Sequence, residues 1–243
     1  MPITVVYDTT CIATGGRCCQ WTVPDSVNSV TFEIWGGGGG GAAGTNVCDC
    51  CARTQPGGGG GYAMKQLSVT PGSQYTVCAG NAGVSSTDSN YGANPTFGSN
   101  GVAGGTSFVT GTGLTSFCAT GGLGGTSNFT IQCYGHCGCN GAKGGQGYNG
   151  SINAAGMSGI LGMAGSNAET SYSIGGAAGG PGGGAGGING GTNYSGCGHA
   201  LYNSRLHGRV PGGGGAGLGC YTSCTCCEYG AGRGAPGFVK ITW

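Results

Sequence analysis

The sequence predicts a mostly irregular, all-β fold. A small β framework, with strands near residues 21–35, 67–78 and 237–243, carries a packed bundle of glycine-rich polyproline-II helices, with very little α-helix. Three observations predict it. Glycine makes up 63 of the 243 residues and comes in blocks, at Gly36 to Gly41, Gly57 to Gly61, the stretch Gly175 to Gly187, and Gly212 to Gly215, where average usage is about 7%. Segments beside these blocks alternate apolar and polar residues. Helix signals are almost missing.

The first β region runs from Trp21 to Trp35, where Val30, Phe32 and Ile34 alternate with Thr31 and Glu33 as in a half-buried strand. Pro24-Asp25-Ser26 reads as local turn chemistry. The second runs from Leu67 to Val77, with Pro71-Gly72 punctuating a turn between Leu67–Val69 and Tyr75–Val77. The chain closes on Phe238 to Trp243, where Phe238, Lys240 and Thr242 face away from Val239, Ile241 and Trp243. That last strand is expected in the same sheet as Trp21 to Trp35.

The glycine blocks need a cause, because glycine loses more backbone entropy on folding than any other residue. Disorder is a poor one. Only 6% of residues are charged, the net charge is +1, and 11 Tyr, 6 Phe and 3 Trp supply apolar surface. A strict Gly-X-Y period is also absent. The remaining cause is close approach of backbones. Extended threads with three residues per turn have no internal hydrogen bonds, yet side by side they can bond to one another where no side chain intervenes. Ile152 to Ala168 illustrates the choice. As an α-helix it would carry about 1 kcal/mol of penalty at each of Gly156, Gly159, Gly162 and Gly165. As a three-residue-per-turn thread, the same glycines form one continuous face.

Charge and hydropathy narrow the function. The eight Lys and Arg are scattered from Arg17 to Lys240, without the basic run that nucleic-acid binding uses. No apolar stretch approaches the roughly 20 residues that span a bilayer, so membrane insertion is not expected. Met1 to Asp8 lacks the pattern of a secretory signal, so synthesis in a cytosol is expected. Asp8, Asp25, Glu33, Asp49, Asp88, Glu169 and Glu228 form no acid pair, and the glycine runs lack a phosphate-loop ending. No enzyme is expected.

An ordered string of motifs spans almost the whole chain after residue 20. Trp21 to Gly40 reads W-T-V-P-x-x-V-x-S-V-x-F-x-I-W followed by five glycines. Pro56 to Ala63, Leu67 to Gly80, Gly104 to Phe108, Ala119 to Gly122 and Gly234 to Trp243 follow in order. The string resembles the glycine-rich domain of bacteriophage tail-fibre and tip-adhesin proteins. The resemblance implies a polyglycine-II sandwich on a small β framework, with variable loops between the threads touching the host. Residues 1–20 would then be an N-terminal attachment segment and 21–243 one glycine-rich domain. One departure is plain: those proteins have few cysteines, and this chain has 16.

Two cysteine spacings recur: Cys48-Asp-Cys50-Cys51 matches Cys224-Thr-Cys226-Cys227, and the spacing of Cys133, Cys137 and Cys139 matches that of Cys220, Cys224 and Cys226. With Cys11, Cys18, Cys19 and Cys197, these are candidates for disulfides or for a metal. An even count in a thinly cored protein suits disulfide staples. Clustered thiolates near His136, His199 and His207 suit zinc or an iron–sulfur centre, although no cofactor is required. The adjacent pairs Cys18-Cys19, Cys50-Cys51 and Cys226-Cys227 would each have to bond in two directions. Cys78 and Cys118, within β patterns, are expected as buried free thiols.

The resulting expectation is a non-enzymatic virion protein, made in the host cytoplasm and acting outside the cell, whose partners are other fibre or tail proteins and a host surface receptor. A homotrimer is a candidate assembly. Tyr134, His136, Tyr194, His199, Tyr202, Arg205 and His207 are the candidate contact residues, chosen for loop context and side-chain type. The competing expectation is a structural virion subunit, such as a decoration, collar or fibre-adaptor protein.

Overall fold

Alternation of β-branched and aromatic residues with polar ones builds two antiparallel sheets face to face. The computed structural model describes residues 2–8, 18–42, 54–85, 100–127, 139–163, 171–190, 206–217 and 231–243. The first sheet contains β1 (Thr4–Tyr7), β3 (Ser29–Trp35), β4 (Tyr62–Ser68), β10 (Ile152–Ala154) and β14 (Phe238–Thr242), in the order β1-β14-β3-β4-β10. The second contains β2 (Cys18–Thr22), β5 (Gln74–Cys78), β6 (Ser107–Thr110), β7 (Cys118–Ala119) and β9 (Gly147–Tyr148), in the order β2-β5-β6-β7-β9. Val30, Phe32, Ile34, Val239 and Ile241 from the first sheet meet Trp21, Tyr75, Val77 and Val109 from the second in a closed core. Trp21 stands at its centre, with ring centroids 5.9 Å from Phe32, 6.0 Å from Tyr75 and 5.4 Å from Trp243. Among the described residues there is no α-helix.

The C-terminal strand pairs with β3, Phe238 opposite Trp35 and Thr242 opposite Thr31, as the sequence predicts. The region 21–35, read as one strand, is two. β2 and β3 lie in different sheets, joined across a turn at 25–26 where Ser26 has φ 69°. Thr70-Pro71-Gly72-Ser73 is a tight turn, closed by the Ser73 amide on the Thr70 carbonyl at 3.1 Å with Gly72 at φ 79°, the signature of type II. It joins β4 to β5, again across sheets. The first twenty residues, set apart in the sequence, contribute β1 and the start of β2 to the framework.

Past the framework, the glycine blocks run as threads whose hydrogen bonds repeat every three residues. The amides of Gly36 and Gly39 donate to Gly61 and Gly58, those of Gly37 and Gly40 to Gly105 and Val102, and those of Gly38 and Gly41 to Ala235 and Gly232. Partner numbers fall as donor numbers rise, so these three neighbours run antiparallel. The carbonyls of Gly37 and Gly40 accept from Gly122 and Gly125, that of Gly38 from Gly83 and that of Gly39 from Gly215. The 36–41 thread is thus enclosed by six others, with all six amides and the carbonyls of Gly37 to Gly40 paired, as a buried segment demands. Residues 57–61 are enclosed in the same way, donating to the threads around 212–215, 120–123 and 157 and accepting from those around 36–39, 176–179 and 145. Three-residue threads packed shoulder to shoulder require this period.

Glycine is obligatory there because the neighbour is backbone: a methyl on Gly38 would land on the carbonyl of Gly213. The 152–168 segment is a correction in part. Its centre is a thread, with Gly156 donating to Gly145 and Met157 to Ala177. Its described ends, however, are strands: β10, and β11 (Ile160–Met163).

Ser107 joins framework to threads. Fully buried, its hydroxyl donates to the Trp35 carbonyl at 2.6 Å and accepts from the Gly80 amide at 2.8 Å. Ser107→Ala leaves both groups without that partner. It is expected to lower stability by about 1–3 kcal/mol, read as an earlier urea midpoint at unchanged slope.

On the outer face of the first sheet, Lys240 and Glu33 form a cross-strand ion pair at 2.8 Å, and the Tyr62 hydroxyl donates to the other Glu33 oxygen at 3.0 Å. Burial, and then the adjacent carboxylate, push the Tyr62 phenol well above its ordinary range.

Candidate functional site

Every described thread runs between the framework and one far end. Threads leave the framework after Trp35, Cys78, Ala119 and β10, and return to it before Tyr62, Ser107, Gly147 and Phe238. Two tight turns, at 179–183 and 209–212, close the framework side for the remaining threads. It follows that the described residues on either side of 43–53, 86–99, 128–138, 164–170, 191–205 and 218–230 all stand at the far end; those six stretches themselves lie outside the described residues.

The stems there are clasped to one another. Thr54, fully buried, donates its hydroxyl to the Ala42 carbonyl at 2.5 Å. Gln55 accepts the Ala42 amide at 3.1 Å on its carbonyl and donates its own amide to Thr126 at 3.2 Å. Its side-chain oxygen accepts from the Thr126 hydroxyl at 3.0 Å. Asn100 Oδ1 accepts both the amide and the hydroxyl of Ser127, at 2.8 and 3.1 Å. Ser173 Oγ accepts the Gly217 amide at 2.8 Å, and the Ala216 amide donates to Leu206 at 2.9 Å. Ser107 apart, Thr54, Ser85 and Ser173 are the buried polar residues among those described, and all three lie at this end. A thread that stops leaves neighbouring backbone groups without a partner, and a short hydroxyl side chain replaces it.

A third sheet braces the same end. It contains β8 (Cys139–Asn140), β11, β12 (Ser171–Ile174) and β13 (Ile188–Gly190), in the order β13-β12-β11-β8. Met163 opposite Ser171 closes the base of 164–170. β8 holds the exit of 128–138, and β13 the entry to 191–205. Sequence patterning gave no signal for this sheet, since its strands are short and interrupted by glycine.

Tyr134, His136, Tyr194, His199, Tyr202 and Arg205 lie outside the described residues. His207 is described and exposed, but its Nδ1 accepts the Arg233 amide at 3.0 Å, so it also ties two threads together. Arg209, Arg233 and Lys143 add positive charge to the threads, whereas Asp8, Asp25 and Glu33, the acids among the described residues, belong to the framework. Sequence reasoning missed Thr54, Gln55 and Asn100. Each is an ordinary polar residue whose role depends on a partner far along the chain.

Cys11, Cys48, Cys50, Cys51, Cys133, Cys137, Cys197, Cys220, Cys224, Cys226 and Cys227 lie outside the described residues, and Cys139 is described only as part of β8. Cys18 and Cys78 stand opposite each other on β2 and β5 and are joined by a disulfide, with Cα atoms 4.2 Å apart. This corrects the expectation that Cys78 is a free thiol. Its register partner is a cysteine, and an antiparallel pair at this separation brings the two side chains together. Cys19 is also disulfide-bonded. Neighbours along a strand point to opposite faces, so Cys18 and Cys19 do bond in two directions. Cys118 is a free, half-buried thiol, and burial pushes its pKa up. Among the described residues, no three His, Cys, Asp or Glu side chains come together as metal ligands would.

This end can therefore present the segments between its stems on a braced platform. No curated protein matches the chain. A family model described as a glycine-rich domain matches residues 13–243, which takes in every described thread and every framework strand except β1. The chain belongs to that glycine-rich domain family.

Proposed function

We propose that the protein is a bacteriophage virion protein without enzymatic activity, a tail-fibre or tail-tip adhesin that presents loops to the host surface. The observation carrying this reading is that the described residues flanking six chain segments all stand at one end of a hydrogen-bonded stack of threads. Stems held by Thr54, Gln55, Asn100, Ser173 and the third sheet lose little freedom when the segments they carry bind a partner. The aromatic and histidine residues of 128–138 and 191–205 supply contact chemistry, and the cysteines of these segments and of 43–53 and 218–230 supply staples. The framework end faces the rest of the virion.

The test adds purified protein to susceptible bacteria before infection. An adhesin adsorbs to the cells and lowers the adsorption of the phage that carries it. A protein that ignores cells and assembles onto purified tails or capsids is a structural subunit instead.

A further inference from the structure

Across the second sheet, register places one residue of each strand in a single row: Cys18, Cys78, Phe108, Cys118 and Tyr148. They occupy the face opposite the core, because Val77, Val109 and Ala119, one position along, are buried. The Cys18–Cys78 disulfide anchors one end. The other end is open: Phe108 and Cys118 are half-buried, and Tyr148 is 47% exposed.

Beside the row, Gln20, Thr76 and Thr110 face each other in register, with Gln20 Nε2 donating to Thr76 Oγ1 at 2.8 Å. On the other side, Thr120 Oγ1 accepts the Gln146 amide at 2.8 Å. No described strand of this sheet carries an Asp, Glu, Lys or Arg.

We propose that this outer face binds a neutral, linear oligosaccharide. Neighbouring strands lie about 4.8 Å apart, close to the length of one pyranose unit. A sugar chain crossing the strands therefore sets successive rings over Tyr148, Cys118 and Phe108. Aromatic side chains offer their faces to the C–H face of a sugar, and hydroxyl and amide groups on both flanks match its hydroxyls. The absence of charge selects against acidic glycans. A ribbon one residue wide is too narrow for the apolar centre of a stable protein interface, whereas a linear glycan needs no more. The site lies on the framework, away from the far end of the threads, and does not depend on the adhesin reading.

Titration of the full chain with maltohexaose, cellohexaose and chitohexaose tests it. At least one should bind. Tyr148→Ala should weaken that binding about tenfold, as truncation of a central contact does, while Tyr148→Phe should retain it. Because Tyr148 is exposed, the melting temperature of both variants should match that of the parent. Three results would overturn the proposal: no binding of any probe at millimolar concentration, binding indifferent to Tyr148→Ala, or sedimentation showing that this face is covered by a second copy and freed by Tyr148→Ala.

Discussion

Replacing Gly60 with alanine is expected to remove about 3–5 kcal/mol of folding stability, at the upper end of what overpacking and backbone shifts cost. Gly60 donates its amide to Gly212 and accepts from Gly179, within a thread enclosed on all sides. A methyl there would fall on the Gly36 carbonyl and crowd its carbonyl carbon and Cα. Those atoms are backbone, so no side chain can swing aside. Gly36 is itself pinned by the hydrogen bond its amide donates to the Gly61 carbonyl, so relief means moving two threads and the neighbours bonded to them. Against a typical total of about 5–15 kcal/mol, that loss leaves the protein marginal or insoluble. Gly182→Ala is the control. Nothing lies within 4 Å of its added methyl, and the strain comes from φ 69° alone, a cost of about 1–2 kcal/mol. Thermal unfolding of the two variants separates them. Equal, small shifts would mean that the threads are loosely packed.

Removing the Cys18–Cys78 disulfide by a double change to alanine is expected to cost about 4 kcal/mol, from the loop-closure entropy of a link spanning 60 residues. The closed loop contains β3, β4 and two glycine threads. The cross-link therefore restricts two glycine blocks that have much conformational freedom to lose when the chain folds. Urea unfolding of parent and variant in the absence of reductant measures the difference. A shift below 1 kcal/mol would mean that the glycine blocks keep structure in the unfolded state.

Strands 29–35, 74–78 and 238–242 were legible because their alternation is local. So was the need for close-packed threads, since glycine blocks in an uncharged, aromatic-bearing chain have few other physical uses. What could not be read was determined by pairing across distance. Tyr62–Ser68 looks irregular until Met64 is set opposite Glu33. Thr4–Tyr7 has too few residues to show a period, and becomes a strand only beside β14. Cys78 looked like a core thiol because its partner is 60 positions away. At the candidate site, the segments that composition singled out lie, His207 apart, outside the described residues. The clasps beneath them, Gln55 to Thr126 and Asn100 to Ser127, depend on contacts that no sequence window contains.

The sixfold enclosure of 36–41 has an evolutionary corollary. Each successive amide addresses a different neighbour, so one inserted residue would turn everything beyond it by a third of a revolution and aim every later bond at the wrong strand of the lattice. Such a thread tolerates length changes only in multiples of three. Between two stems held in place, by contrast, the intervening sequence has no such count to keep. Relatives of this chain should therefore drift in their tips while their rods keep count.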